Sequence, residues 1–300
     1  QKPLFGPPGG DLPEKLRPLL HPLADALSNE HIKPGDHVCI AADDPICLLP
    51  IQYIRLLDGY CIEQLSLSRV TSFSEALSIV SKSPTRPKVG LFVTAPVDEK
   101  FQEHKVEAAD RLWRKLNASL SPTNYREAPI EHESFLESLC SVQLIHINAH
   151  GYFPPESQDA FRHAGLLLPT TTDQQLRSGA SDRILSSSDI LNANINLRDS
   201  HVTLNACVSG VGLPGHGGDI LGLEFALRSK GAASVLATHW DVRWPLSTVF
   251  LERFYDKWLT SKLSRANAWR SVTCDLINDP PIDNVRLEEW CAFSLFGDWR

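Results

Sequence analysis

Short apolar runs that alternate with longer amphipathic stretches constrain the fold of this chain more than any other feature of its sequence. Each run has the length of a strand and is too evenly apolar for a sheet with one face in water. Alternation of such strands with helices is typical of a three-layer α/β fold. The sequence therefore predicts a mainly parallel sheet with helices on both faces. The predicted strands are residues 37–41, 88–94, 142–148, 201–206 and 233–239.

Helical patterns fill the segments between and after these strands. The basic turn Arg228-Ser229-Lys230 followed by Gly231 predicts where one helix stops, because glycine is common just past a helix end. Residues 154–188 form a long polar segment between two predicted strands, and long loops at strand ends usually serve a site or bind a partner. The predicted helices are residues 74–82, 99–120, 131–138, 219–230, 247–260 and 265–277.

Charge and hydropathy exclude several classes of function. The 300 residues include 36 acids against 29 lysines and arginines, a formal net charge of -7. That balance argues against nucleic acid or an anionic membrane as a direct partner. No apolar run reaches the roughly 20 residues of a membrane span, and residues 1–10 lack the pattern of a signal peptide. We therefore expect a cytoplasmic protein.

The sequence contains no methionine, even at position 1. This predicts either that the chain is an excised or processed part of a larger protein, or that methionines are missing from the sequence. In the first case, regulation of the protein would lie in residues outside this chain.

The cysteines do not form a disulfide or metal-binding pattern. Their number is odd and their spacing contains no CxxC pair, so a disulfide framework is not expected in a chain of this length. His146 and His150 are four residues apart, but no glutamate follows His146, so the zinc-peptidase helix motif is not met. We expect no metal and no cofactor, and core packing for His146. The cysteines are Cys39, Cys47, Cys61, Cys140, Cys207, Cys274 and Cys291.

Two predicted strands end in side chains that could react. One runs into His150 and Gly151, and the other into Cys207. The carboxyl ends of parallel strands lie at one edge of the sheet, where ligands bind. If these strands are neighbours, His150 and Cys207 face each other across a cleft.

Such a pair suits nucleophilic catalysis. The thiolate is the nucleophile, and an imidazole can take the thiol proton and later return it to the leaving amine. The backbone N–H groups of Gly151 and Cys207 are candidate donors to the oxyanion. The histidine precedes the cysteine by 57 positions, and in caspases the histidine lies about 50 residues before an Ala-Cys dipeptide. Taken singly, a histidine after a strand is more often a surface residue and a cysteine in Leu-Asn-Ala-Cys is more often a core residue, so the functional interpretation depends on His150 and Cys207 occurring together in this order.

Several blocks of the sequence resemble the CHAT domain, a branch of the caspase-like (clan CD) cysteine peptidases that is also related to separase. The histidine block IHINAHG and the cysteine block LNACVSG are moderately specific alone and highly specific with the other blocks. The matching blocks are residues 37–50 with Asp58-Gly59, 145–151, 204–210, 221–242, Phe254-Tyr255 and 293–299.

The resemblance implies a caspase-like fold and a function. Residues 1–36 would be a lead-in with a helix, and residues 37–300 the peptidase domain, with lobes of about 37–130 and 131–300. His150 would be the general base and Cys207 the nucleophile in cleavage of a protein partner. Such domains are usually switched on by an attached or separate sensor, often in bacterial defence, including antiviral defence, or signalling.

One block departs from the family pattern. Where the family usually has Leu-Trp-Pro-Val, this chain has His239-Trp240-Asp241-Val242 followed by Arg243. In caspase-like enzymes this segment pairs with an extended substrate, so His239, Trp240 and Asp241 are the predicted substrate cleft. Asp241 could bind a basic P1 side chain, or it could be a solvated acid paired with Arg243. Asp219 and Glu224 are weaker candidates for such an acid.

Three further functions stay compatible with the sequence. Gly210, Gly212 and Gly215 spell GxGxxG after a strand, which would fit a Rossmann-type nucleotide site. Pro214 stiffens that turn, and the helix is delayed, so we favour a mobile loop beside Cys207. A catalytically silent interaction module is the second of these functions. The third is acyl transfer from the cysteine to an acceptor that is not water.

Overall fold

The computed structural model describes most of the chain and places its strands in one large sheet and three small ones. The described residues are 17–42, 46, 49–56, 58–94, 102–120, 123–127, 132–140, 142–152, 164–168, 184–207, 209–210, 212–214, 220–281 and 287–300.

Fifteen strands are present in the described residues. They are β1 (His37–Ala41), β2 (Arg55–Leu56), β3 (Gly59–Tyr60), β4 (Ser66–Val70), β5 (Gly90–Thr94), β6 (Thr123–Glu127), β7 (Leu144–Asn148), β8 (His150–Tyr152), β9 (Gly165–Leu167), β10 (Ile184–Ser186), β11 (His201–Asn205), β12 (Gly212–Pro214), β13 (Ile220–Gly222), β14 (Ser234–Thr238) and β15 (Phe293–Gly297).

The helices lie between these strands. They are α1 (Arg17–Leu27), α2 (Cys61–Gln64), α3 (Phe73–Ser81), α4 (Gln102–Ser119), α5 (His132–Ser138), α6 (Ser187–Asn192), α7 (Leu223–Ser229), α8 (Trp244–Tyr255), α9 (Arg265–Asn278) and α10 (Leu287–Trp290), with a 3₁₀ turn at Ile51–Tyr53 and a π-helical turn at Asp256–Thr260 directly after α8.

The central sheet has eight strands in the order β1-β4-β15-β14-β11-β7-β5-β6. All neighbours are parallel except β14 and β15, which run antiparallel. The strands β14, β11, β7, β5 and β6 therefore share one direction, and their carboxyl ends lie at one edge. The prediction of a mainly parallel sheet is confirmed.

Helices cover both faces of this sheet, as predicted. On one face, Phe92, Leu144 and Leu236 pack with apolar residues of α4, α8 and α9. The neighbouring residues of the same strands point the opposite way, so Ile145 and Val235 pack with α5, α6 and α7. This alternation arises because successive side chains of a strand point to opposite faces. The fold is a three-layer αβα arrangement.

The end of α7 follows the prediction, but its beginning does not. Gly231 has φ +99, its N–H bonds to the Arg228 carbonyl at 2.9 Å, and the Ala232 N–H bonds to the Leu227 carbonyl at 3.2 Å. These two bonds are those of a Schellman motif. The predicted helix start at residue 219 is wrong, because Ile220–Gly222 pairs with β12 and the helix begins only at Leu223. No helix in the described part of the chain is long and apolar enough to cross a membrane.

Candidate active site

The strands that lead to His150 and Cys207 are neighbours in the central sheet. β7 and β11 are parallel and in register, with Asn148 opposite Asn205. His150 and Cys207 each follow two residues after these paired asparagines. The condition on which the predicted cleft depended, that the two strands be adjacent, is therefore met.

His150 and His146 have different surroundings. His146 is 0% exposed in the middle of β7, as predicted. His150 is exposed and begins β8, which belongs to a separate antiparallel sheet with β9 and β10. Because β7 ends at Asn148, the two histidines do not lie on one continuous strand.

Gly151 lies directly against the backbone of Cys207. A Cβ atom at position 151 would be 1.8 Å from the Cys207 carbonyl oxygen, which is far inside van der Waals contact. Only glycine allows this approach. The contact brings the backbone of the histidine segment against that of the cysteine segment, on the edge of the sheet where the candidate oxyanion donors were predicted.

Hydrogen bonds attach the turn that contains Cys207 to Thr238, the last residue of β14. The Thr238 hydroxyl donates to the Ala206 carbonyl at 2.7 Å, and the Thr238 N–H donates to Ser209 Oγ at 3.1 Å. The Gly210 N–H donates to the Thr238 carbonyl at 2.7 Å. The nucleophile candidate is therefore held by β14 as well as by its own strand.

The Cys207 thiol is half-buried and lies beside an acid. Burial raises its pKa above the usual value, and the negative charge of Asp241 together with a hydrogen bond to that side chain raises it further. A hydrogen bond from the Val242 backbone acts in the opposite direction. Because the net pKa shift is upward, the thiol needs a nearby base to become a nucleophile near neutral pH.

The predicted cleft segment divides into buried and exposed residues. His239 is buried, and its Nε2 lies 2.7 Å from Ser294 Oγ on β15. The expectation that this side chain lines the cleft is wrong, because its hydrogen bond holds it within the sheet. Trp240 is half-buried and Asp241 is exposed. These two residues are available at the end of β14.

The acids considered beside Asp241 have other surroundings. Arg243 forms a bidentate ion pair with Glu289, whose side chain is 0% exposed. Glu224 is buried and accepts a hydrogen bond from Arg228 at 2.7 Å. Asp219 lies outside the described residues.

Two of the three glycines predicted to form a mobile loop have defined partners instead. Gly210 is bonded to Thr238 as described above, and Gly212 pairs with Gly222 in the β12–β13 hairpin. Gly215 lies outside the described residues. β12 lies within the glycine motif and pairs with β13, which directly precedes α7, so the described residues do not have the strand-turn-helix geometry of a Rossmann fingerprint.

Metal or disulfide chemistry finds no support among the residues that the structure describes. Across those residues, no group of three or more histidine, cysteine and acidic side chains could hold a metal ion. The six described cysteines are all free thiols, and Cys47 lies outside the described residues.

The sequence analysis missed the two asparagines that precede the reactive residues. The Asn205 amide donates to Asn148 Oδ1 at 2.6 Å across the strand pair. A repeated sequence signal could have identified them, because Asn-Ala stands before His150 and again before Cys207.

Comparisons with known proteins bear on the family and the fold of the chain. The chain matches the CHAT domain profile over residues 14–298. No protein of curated function matches its sequence. Separase of Saccharomyces cerevisiae, solved with securin, has a TM-score of 0.60 and 14% identity over 87% of this chain. The Arg-specific cysteine proteinase gingipain R has a TM-score of 0.63 and 9% identity over 97%.

A second gingipain structure, the complex of the pro- and mature domains of RgpB from Porphyromonas gingivalis, has a TM-score of 0.62 and 9% identity over 94% of the chain. The chain spans 15% of the separase chain and 68% of each gingipain chain. At these identities the similarity shows the fold alone. Because the family profile covers almost the whole sequence, the chain belongs to the CHAT domain family and has the fold of the caspase-like cysteine peptidases.

Proposed function

We propose that the protein is a cysteine endopeptidase with Cys207 as nucleophile and His150 as general base. The observation that carries the proposal is the contact of Gly151 with the Cys207 backbone at the ends of two registered parallel strands. It brings a histidine segment and a cysteine segment together in the chain order that the family uses.

In the proposed reaction, His150 takes the Cys207 proton and the thiolate attacks the carbonyl carbon of a peptide bond. The negative charge moves to the carbonyl oxygen, where the Gly151 and Cys207 N–H groups would stabilise it. His150 returns the proton to the leaving amine as the C–N bond breaks. Water, deprotonated by His150, then hydrolyses the acyl-enzyme and restores the thiol.

Asp241 is the proposed selectivity residue for a basic P1 side chain. Its exposed carboxylate acts on the Cys207 thiol, so a lysine or arginine bound there would have its scissile bond near the nucleophile. Trp240, which precedes it, would contact the backbone of the substrate in an extended conformation.

The proposed substrate is a protein partner, and the proposed activator is a sensor domain or subunit. The family relationship supports this regulation in a bacterial defence or signalling pathway. A catalytically silent interaction module is the second candidate, and the raised pKa of the Cys207 thiol is the observation that favours it.

Cleavage of a peptide library tests the proposal. The full chain and the variants Cys207→Ala and His150→Ala are incubated with the library, and new termini are identified by mass spectrometry. We expect wild-type cleavage, preferentially after basic residues, and a loss of about a thousandfold or more in either variant. Cys140→Ala, which removes another half-buried thiol, is the matched control and should cleave normally. Cleavage by Cys207→Ala at the wild-type rate would contradict the assignment.

A further inference from the structure

Buried polar side chains form a continuous series of hydrogen bonds, the hydrogen-bond chain, which crosses the centre of the sheet and ends at Asn148 and Asn205. It lies on the face covered by α8 and connects side chains of β7, β11 and β14 with Tyr255. Its members are Ser234, His201, Thr203, Tyr255, His146, Asn148 and Asn205.

The half of the chain nearest the site begins at the paired asparagines. Asn148 Oδ1 accepts from Asn205 Nδ2 at 2.6 Å and lies 2.9 Å from His146 Nε2. His146 Nδ1 lies 2.7 Å from the Tyr255 hydroxyl. Phe92 stacks on the His146 ring at 4.6 Å between centroids and 5° between planes, which fixes the orientation of the imidazole.

The other half of the chain continues from Tyr255 to β14. The Tyr255 hydroxyl hydrogen-bonds Thr203 Oγ1 at 2.8 Å, and Thr203 Oγ1 lies 3.1 Å from His201 Nε2. His201 Nδ1 lies 2.8 Å from Ser234 Oγ. Each imidazole thus uses both ring nitrogens, and no break separates Ser234 from the asparagines.

The two imidazoles in this hydrogen-bond chain, those of His146 and His201, are neutral near physiological pH. Burial lowers the pKa of His146 to about 4, and burial also lowers the pKa of His201. A neutral imidazole has one donor and one acceptor nitrogen, so each ring donates one hydrogen bond and accepts the other. The side chains of His146, His201, Thr203 and Tyr255 are at most 1% exposed, so water does not compete for these bonds.

Stability alone does not explain such a chain. Apolar residues at the same strand positions would fill the core without the desolvation cost of polar groups, and buried polar networks are often replaceable without loss of stability. What a satisfied network adds is one defined arrangement of its members. Here that arrangement includes the last residues of β7 and β11.

One N–H donor at the end of the hydrogen-bond chain, that of the Asn148 side-chain amide, has no acceptor within the described residues. Asn148 Nδ2 is buried and has no hydrogen-bond partner in that part of the structure. A buried donor without a partner is costly. It lies two residues before His150, at the end of the network that faces the candidate site.

We propose that this buried chain is a positioning device, in which His146 and Tyr255 fix Asn148 and Asn205 and thereby set the relative placement of His150 and Cys207. The inference rests on the proposed function for its catalytic meaning. The residues of the chain act through the strand ends and do not touch the substrate.

Tyr255→Phe tests the proposal, because it removes one hydroxyl and opens the chain in the middle while keeping the ring. Thr203→Val opens it at the next position and serves if Tyr255→Phe does not fold. Thr273→Val is the matched control. It removes a buried hydroxyl from α9 that donates to the Trp269 carbonyl at 2.9 Å and is not part of the hydrogen-bond chain.

The primary measurement is the rate at which iodoacetamide alkylates Cys207, followed by mass spectrometry as a function of pH. We expect Tyr255→Phe to slow alkylation at neutral pH and to move its midpoint to higher pH, since His150 then accepts the thiol proton less well. Thr273→Val should keep the wild-type profile even if its melting temperature falls. A wild-type profile in Tyr255→Phe and Thr203→Val would overturn the proposal.

Cleavage kinetics give the second measurement and separate this inference from the proposed function. For a cleaved peptide, kcat should fall about 10- to 100-fold in Tyr255→Phe with KM nearly unchanged, as expected for misplaced catalytic groups. An unchanged kcat would overturn the inference. If the wild-type protein cleaves nothing, the proposed function fails. The alkylation profile alone then decides whether the hydrogen-bond chain positions Cys207.

Discussion

At the scale of single residues, Cys207 combines a reactive position with an environment that keeps it protonated. The thiol is half-buried, and Asp241 adds a negative charge beside it. Both effects raise its pKa, whereas reactive cysteines usually have cationic neighbours that lower it. The proposed activity therefore requires a base close to the thiol, and His150 is the residue that the strand register brings to that end of the sheet.

Substitution of Asp241 tests this electrostatic account. Asp241→Asn removes the charge, so the pKa of Cys207 should fall and the midpoint of iodoacetamide alkylation should move to lower pH. The midpoint should remain above that of a free thiol, because burial is the largest cause of the shift. Asp25→Asn, which neutralises an exposed acid of α1, is the control. An unchanged midpoint in Asp241→Asn would mean that the carboxylate does not act on the thiol.

The glycine contact gives a graded prediction. Gly151→Ala would place a methyl group 1.8 Å from the Cys207 carbonyl oxygen, whereas Gly210→Ala would place one 3.2 Å from the Thr238 carbonyl oxygen. We expect Gly151→Ala to lower kcat/KM about 100-fold, since the strand ends must separate, and Gly210→Ala to have a much smaller effect. Peptide cleavage and melting temperature measure both. Equal losses in the two variants would count against the Gly151 contact as a feature of the site.

Which site residues the sequence could predict depends on how far each acts along the chain. The positions of His150 and Cys207 follow from local signals, since each stands just after a strand. The buried position of His239 does not, because it depends on Ser294, which is 55 residues away in sequence and on a strand that was not predicted. The position of Asp241 beside the thiol also depends on a contact between separate segments.

At the scale of elements, five evenly apolar strands of the central sheet were predicted, and β4, β6 and β15 were missed. The runs at β1, β5, β7, β11 and β14 are evenly apolar. β4 is fully buried although it contains two serines and Arg69. Each of these polar side chains has a hydrogen-bond partner that is distant in the sequence. Ser66 donates to Asn267 on α9, and Arg69 donates to the Leu49 carbonyl. Partners so distant along the chain leave no pattern in a short segment.

The partly buried His37 and the buried His146 predict a loss of stability in mild acid. Burial lowers the pKa of His37 and of His146 to about 4, below the usual 6.5. Between these values the unfolded chain binds protons that the folded chain does not, so the free energy of unfolding falls as the pH falls from about 6.5 towards 4. Each such histidine contributes a slope of roughly 1.4 kcal/mol per pH unit.

Urea unfolding between pH 7 and pH 4.5 measures that slope. His37→Gln should make it shallower by about one proton's contribution, while His21→Gln, at a position whose side chain is 76% exposed, should leave it unchanged. Equal slopes for the His37→Gln protein and the wild type would show that His37 does not supply this acid sensitivity.

At the scale of the whole molecule, the direction of the strands explains why the site lies at one edge. β7, β11 and β14 are parallel neighbours in the middle of the sheet, and each leads to one residue of the proposed site: His150 follows β7, Cys207 follows β11, and Asp241 follows β14. The sequence could predict the strands and their ends. It could not predict the order of strands or the reversal at β15, because both depend on contacts between distant segments.

Covalent trapping is the measurement that tests the central claim, that His150 and Cys207 form one catalytic centre, most directly. The protein is treated with a peptidyl acyloxymethyl ketone that has a basic P1 residue, and the adduct is located by mass spectrometry. The account predicts a single adduct on Cys207 in the wild-type protein and in Cys140→Ala, and its loss in His150→Ala. Modification of several cysteines at similar rates, or an undiminished adduct in His150→Ala, would contradict it.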